Sequence, residues 1–292
     1  MLSILIPTYN YSIYPLVVEL HNQTIQLNIE FEIIVLDDGS NKFVEENSKI
    51  NNLVNCFFKL NPENFGRSKT RNLLAKYAKY EWLLFLDADT FPKENSFVEL
   101  YLKSIDHNFE SINGGIVYQE EKPETQQLLR WKYGIQREAL SVTKRNQNPY
   151  LSFLTLNFLI HKSVFKEVSF NENIPNLRHE DTLFSYELNK QKIKIKHIEN
   201  PVIHYGLDTS EEFLKKSKEA VENLKYLYDN NLISEDYVKL LKLSKKIKSF
   251  GLKWLFGSLY RVFQKSLEKK LLGKNPSIYL FDFYRLCYLC SL

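Results

Sequence analysis

The sequence predicts an α/β protein, a mostly parallel, doubly wound sheet flanked by helices over residues 1–210, followed by a basic helical region over 211–292. Three observations carry that expectation. Short apolar runs alternate with helix-patterned segments up to Leu86. Two of those runs stop abruptly in acidic turns, as strands do where a parallel sheet opens to a ligand crevice. Beyond Ser210 the strand-like runs disappear and helical spacing takes over. With 292 residues that are 44% hydrophobic, the chain has ample apolar mass for a core and is not a disordered polymer.

The elements follow in order. Leu2-Ser3-Ile4-Leu5-Ile6 is a buried strand stopped by Pro7-Thr8, and Leu16, Val17 and Leu20 give residues 14–24 a helical face. A second strand over 31–36 ends in Asp37-Asp38-Gly39-Ser40, whose glycine permits a positive φ. A helix over 43–50, a strand over 54–59 and a helix over 68–80 lead to Trp82-Leu83-Leu84-Phe85-Leu86, which ends at Asp87-Ala88-Asp89. Further strands are expected over 112–118, after the Gly114-Gly115 pair, within 150–160 and within 193–205, with helices at 163–168 and 183–190.

Three cysteines cannot complete a disulfide framework, which fits a reducing compartment, and Cys287 and Cys290 read as apolar residues of a terminal helix. Met1 to Thr8 lacks the basic region of a signal peptide, and no stretch approaches the roughly 18 apolar residues of a membrane span, so the expectation is a cytoplasmic protein. Charge is unevenly placed. Residues 211–292 carry 16 Lys and Arg against 9 Asp and Glu, a net +7, whereas residues 1–210 are at −3. An acidic front argues against a nucleic-acid enzyme, whose cleft would be positive.

Carboxylates dominate the candidate chemistry. Asp87 and Asp89, at i and i+2 beyond an apolar strand, form a hard oxygen site suited to a divalent cation that also holds phosphate oxygens; an ordinary strand-to-turn junction has the same composition. Asp37-Asp38-Gly39-Ser40 carries the same ambiguity, and Asp181 is equally suited to capping a helix. Arg67 and Arg71 offer guanidinium forks for phosphate or simply a solvated helix face.

Five blocks occur together in order: Pro7-Thr8-Tyr9-Asn10, Asp37-Asp38-Gly39-Ser40, Asn64-Phe65-Gly66-Arg67 through Thr70-Arg71-Asn72, Asp87-Ala88-Asp89, and Glu180-Asp181. With them, residues 1–210 resemble glycosyltransferase family 2, the inverting nucleotide-sugar glycosyltransferases of GT-A fold. The resemblance implies that Pro7, Thr8 and Tyr9 contact the nucleotide, that Asp37 and Asp38 recognise base and ribose, and that Arg67 and Arg71 approach the diphosphate. A carboxylate can accept the N3–H of uracil, which favours a UDP-sugar donor. It further implies that Asp89, completed by His204, holds Mn2+ or Mg2+, that Asp87 lies nearer ribose or sugar, and that Asp181 is the base that deprotonates the acceptor hydroxyl. Glu180, Gly114, Gly115 and Asn157 match blocks lining the donor-sugar and acceptor region. The implied function is metal-dependent transfer to a glycan or lipid-linked acceptor in bacterial surface polysaccharide synthesis; a silent sugar-nucleotide-binding or glycan-binding subunit of the same fold is the alternative. The lack of a G-x-x-x-x-G-K-[ST] loop excludes a P-loop enzyme.

In the tail, Leu252, Leu255, Phe256, Leu259, Val262, Phe263, Leu267 and Leu271 recur at steps of three and four, opposite Lys253, Arg261, Lys265, Lys269 and Lys270. With the aromatic stretch 279–288, residues 250–290 are expected to lie on the anionic inner face of the cell membrane or to pack on protein, and an oligomer is compatible with either.

Overall fold

The computed structural model describes residues 1–106, 108–174 and 178–292. They form two compact units, one of Met1–Val117, Ala139–Asn176 and Glu180–Gly206, the other of Tyr118–Glu138, Leu177–His179 and Leu207–Leu292.

Among the described residues the first unit has ten strands: β1 Leu2–Thr8, β2 Phe31–Asp37, β3 Cys56–Leu60, β4 Trp82–Leu86, β5 Thr90–Pro92, β6 Ser111–Asn113, β7 Ile116–Val117, β8 Asn157–His161, β9 Ile195–His197 and β10 Val202–His204. Seven make the main sheet in the order β3-β2-β1-β4-β8-β6-β9. β3, β2, β1 and β4 run parallel, β8 is antiparallel to both β4 and β6, and β6 and β9 are parallel. This is the mostly parallel, helix-flanked α/β arrangement the sequence predicts. β1, β2 and β4 read as near-continuous apolar runs because both of their faces are covered. Their side chains alternate between two cores. Leu2, Ile4, Ile6, Leu84 and Leu86 join the cluster that includes Phe97 and Tyr101, whereas Leu5, Leu83 and Phe85 join an aromatic cluster with Phe158, Phe165 and Phe184.

That second cluster positions chemistry. Phe170 and Phe184 stack with ring centroids 4.3 Å apart, and Phe184 and Leu188 are fully buried, so the helix Glu180–Lys190 is clamped against the aromatic cluster, with Glu180 and Asp181 in its first turn.

The sequence expects one strand over 112–118; the structure makes two. Gly115 takes φ +86, a left-handed backbone conformation, and the chain leaves the main sheet at Asn113 and enters a small three-stranded sheet as β7. Residues 193–205 divide likewise, into β9 in the large sheet and β10 in the small one. In that small sheet β10 lies between β5 and β7, with His204 opposite Thr90.

The second unit is helical, with Leu128–Tyr133, Ser210–Asp229, Lys239–Ser249, Lys253–Leu271 and Ile278–Ser291. The sequence expectation began this region at residue 211; the compact unit also takes in the segment Tyr118–Glu138, whose Leu129 shares a core with Leu214, Tyr260, Leu271, Phe281 and Tyr284. Cys287 and Cys290 are free and buried in the last helix, and burial pushes the Cys287 thiol up to about 12, as befits packing positions. The apolar stripe on Lys253–Leu271 is wider than its contact. At 100° per residue, Tyr260, Gly257 and Leu271 form the buried edge, while Leu255, Val262 and Phe263 face away and stay exposed. Among the described residues no helix is long and apolar enough to cross a membrane.

Candidate active site

The carboxyl ends of β1, β2 and β4 carry the first loops of the candidate site, all in the first unit. Asp38 N donates to Thr8 O (2.8 Å), and Asn10 binds the neighbouring turn through three hydrogen bonds, its N donating to Ser40 Oγ (2.6 Å) and its Oδ1 accepting from Asn41 N (3.1 Å) and Lys42 N (3.2 Å). The two aspartates of this turn have separate work. Asp38 accepts from Asn61 Nδ2 (3.1 Å), Phe65 N (2.9 Å) and Gly66 N (2.9 Å), so it fastens the loop that leads into the helix Arg67–Tyr77. Asp37 is fully buried. Its Oδ1 accepts from Ser40 N (2.8 Å), while its Oδ2, like the neighbouring Thr8 Oγ1, has no partner among the described residues. Burial raises the Asp37 pKa against the lowering effect of its Ser40 bonds. A buried acceptor and a buried hydroxyl left unsatisfied at a strand end are costly unless a ligand meets them. Gly39 is required here: it takes φ +78, and a Cβ would lie 2.6 Å from the Glu63 carbonyl carbon. Pro7 lies at the end of the same strand, and Tyr9 is exposed beside it.

Arg71 is 4% exposed and is the hub of the site's charges. Its Nη2 donates to Asp87 Oδ1 at 2.6 Å, its guanidinium lies 5.3 Å from the Phe170 ring centroid, and its Nε and Nη1 have no partner among the described residues. One turn earlier, Arg67 reaches Glu180 Oε1 at 3.2 Å. Burial raises the Asp87 pKa, opposed by Arg71.

Glu180 and Asp181 are adjacent carboxylates driven apart. Burial would raise Glu180, but Arg67 and then Arg71 outweigh it and hold its carboxyl below the usual range. Asp181 is pushed up to about 6 by burial and then by the Glu180 charge, against the lowering influence of the Thr182 N–H bond (2.6 Å) and of Arg71. Such a split is the pattern of an acid–base site, in which one carboxylate stays ionised and the other is basic enough to take a proton near neutral pH. Asp87 and Asp181, far apart in sequence, thus share the field of one buried guanidinium.

Asp89 and His204 meet because β5 pairs with β10: His204 Nε2 lies 3.3 Å from Asp89 Oδ2, and Tyr205 N donates to Asp89 O (2.9 Å). A carboxylate beside an imidazole is a donor pair that a divalent cation can use. Among the described residues no group of three or more His, Cys, Asp or Glu side chains surrounds one point. Gly206 closes against this pair, since a Cβ on it would sit 2.2 Å from Asp89 Oδ2. Neither Gly206 nor Tyr11, whose hydroxyl feels burial first and then the Asp89 charge, stands out in the sequence; Tyr11 directly follows the Pro7-Thr8-Tyr9-Asn10 block and Gly206 lies two residues past His204.

Gly114, Gly115 and Asn157 come together in a cluster of their own. Asn157 is fully buried; its Nδ2 donates to Gly115 O (2.8 Å) and Asn200 O (3.0 Å), and its Oδ1 accepts from Tyr101 Oη (2.6 Å). Arg145, equally buried, donates to Asn113 O (3.1 Å) and Ile198 O (2.8 Å) under Gly115. These side chains hold the crossover between the two sheets.

Comparison with known proteins agrees with this architecture. An uncharacterized glycosyltransferase of Haemophilus influenzae is 32% identical over 141 residues, 44% of this chain and 46% of that protein. The poly(ribitol-phosphate) beta-N-acetylglucosaminyltransferase TarP of Staphylococcus aureus is 27% identical over 150 residues, 49% of this chain and 39% of that protein. The chain spans less than half the length of these curated relatives. Among solved structures, the mannosyltransferase PcManGT of Pyrobaculum calidifontis, in complex with GDP-Man and Mn2+, aligns over 99% of this chain and 86% of its own with a TM-score of 0.61 and 11% identity. S. aureus TarS 1–349 in complex with UDP-GlcNAc aligns over 99% and 89% with a TM-score of 0.51 and 19% identity. At these identities the structures share a fold. The profile of Glycosyl transferase family 2 matches residues 3–169, more than half of the sequence, and the chain belongs to that family.

Proposed function

We propose that the protein is an inverting glycosyltransferase that moves a sugar from a nucleotide-diphosphate donor, a UDP-sugar, to a hydroxyl of a glycan or lipid-linked acceptor in surface-polymer synthesis. The observation that carries this reading is the buried Arg71, which ties Asp87 to the Glu180–Asp181 pair and leaves two donors for an anionic ligand.

In the proposed reaction the acceptor oxygen bonds to the anomeric carbon as the bond from that carbon to the diphosphate oxygen breaks. The nucleoside diphosphate leaves with the electron pair, Asp181 takes the hydroxyl proton, and attack opposite the leaving group inverts the configuration. Arg71 Nε and Nη1 supply charge-assisted hydrogen bonds to the diphosphate, and Glu180, ionised and held by Arg67, keeps Asp181 basic. Thr8 Oγ1 and Asp37 Oδ2 are the unsatisfied groups that meet the nucleoside, the carboxylate accepting from uracil. Asp89 and His204 would hold a divalent cation, which when bound offsets the charge of the diphosphate. TarP, by name a transferase onto poly(ribitol-phosphate), TarS with UDP-GlcNAc and PcManGT with Mn2+ support the acceptor, donor and cation classes in turn.

The test is a panel of UDP- and GDP-sugars scored for manganese-dependent hydrolysis and thermal stabilisation. Stabilisation by UDP and its sugars is expected. Stabilisation by GDP alone would overturn the uridine assignment, and hydrolysis indifferent to manganese would overturn the cation.

A further inference from the structure

Large apolar side chains stay exposed at one turn of the second unit and along the helix that follows it. The helices Lys239–Ser249 and Lys253–Leu271 are joined by a tight turn in which Gly251 N donates to Lys248 O (3.0 Å) and Leu252 N to Ile247 O (3.1 Å), an ordered helix cap. At this fixed turn Phe250 is 68% and Trp254 70% exposed, and about two turns farther along the second helix Val262, one heptad beyond the exposed Leu255 and so on the same line of the helix, is 72% exposed. Single exposed apolar residues need no explanation, but a run of large ones on a rigid corner marks a binding surface.

The charges around it say what binds. Lys246 and Lys248, on the helix that leads into the turn, and Arg261, next to Val262 in the chain, are exposed. Among the described residues none of these three forms an ion pair, whereas the nearby Lys245 is held by Glu235 and Asp236. A second copy placed on this face would bring lysine against lysine. A surface that is apolar within and anionic outside matches both features.

We propose that this corner docks on an anionic lipid bilayer, with Phe250, Trp254 and Val262 entering the headgroup layer and Lys246, Lys248 and Arg261 meeting lipid phosphates. The inference depends on neither the donor nor Asp181.

The experiment is flotation of the whole chain with vesicles of phosphatidylcholine alone and of phosphatidylcholine with phosphatidylglycerol. The expected result is binding to the anionic vesicles only, weakened by salt, with a blue shift of Trp254 emission seen as the difference from Trp254→Phe. The double variant Phe250→Ser, Trp254→Ser should bind at least about tenfold more weakly, since each large apolar side chain moved out of water is worth a factor of about ten or more. Lys246→Glu with Lys248→Glu should do the same and flatten the salt dependence. All four positions are exposed, and unchanged melting of the variants confirms the fold. Equal binding to neutral vesicles, no binding to either, or a dimer in sedimentation that Phe250→Ser, Trp254→Ser dissolves would overturn the proposal. Donor hydrolysis in vesicle-free buffer should be the same in all variants, so failure here and failure of the transferase reading are told apart.

Discussion

Replacing Asp181 by Asn separates catalysis from stability in a way that burial makes quantitative. A carboxyl moved from its ordinary 3.8 to about 6 carries an ionisation cost in the folded state. At 1.36 kcal/mol per pH unit this is about 3 kcal/mol, and partial solvent access reduces it to about 1–2 kcal/mol. The sign follows from the raised value. Below the unfolded pKa both states hold the proton and there is no cost; as pH rises toward 6 the unfolded chain ionises first, and above 6 the native state carries the full penalty. Asparagine keeps the acceptor for Thr182 N and removes the charge. Asp181→Asn should therefore melt a few degrees above wild type at pH 8, with the gap narrowing below pH 6 and closing near pH 4. Transfer should be lost while UDP still stabilises the variant, and wild-type kcat/KM should rise with unit slope up to about pH 6. A gap independent of pH, or transfer retained by the variant, would refute the assignment.

Two further substitutions probe the other arms of the site. Gly206→Ala should lower melting modestly, because its Cβ would meet Asp89 Oδ2 at 2.2 Å, Cγ at 2.9 Å and Cβ at 3.1 Å and force that side chain to swing away, and should weaken manganese binding in calorimetry by about tenfold or more through displacement of that ligand; unaltered binding removes Asp89 from the cation site. Arg71→Met leaves Asp87 without its partner and should cost about 2 kcal/mol or more in chemical denaturation, whereas Arg71→Lys should recover much of that stability but not donor affinity, since ammonium lacks the fork; equal donor affinity in wild type and Arg71→Lys would dismiss the diphosphate role.

The strands, their order along the chain and the acidic turns were legible in the sequence because each is a local pattern. Apolar runs of five to seven residues buried on both faces leave their mark at β1, β2 and β4, and the Asp-Asp-Gly-Ser and Asp-Ala-Asp turns follow directly from where those runs stop. Composition likewise announced a helical, basic tail. What stayed hidden depends on pairing across the chain. Asp37 and Asp38 are neighbours of one chemistry, and only the hydrogen bonds of the 61–66 loop show that Asp38 fastens a backbone while Asp37 keeps a buried oxygen unsatisfied. His204 reaches Asp89 through the β5–β10 ladder, and Glu180 and Asp181 acquire opposite tendencies because Arg67 lies on one of them and burial dominates the other. The helical stripe of the tail was visible, but which edge of it is packed against the terminal helix was decided by a hairpin contact narrower than the stripe. Periodicity and turn chemistry are written into consecutive residues, whereas desolvation and the field of a distant guanidinium exist only once the chain has closed around them.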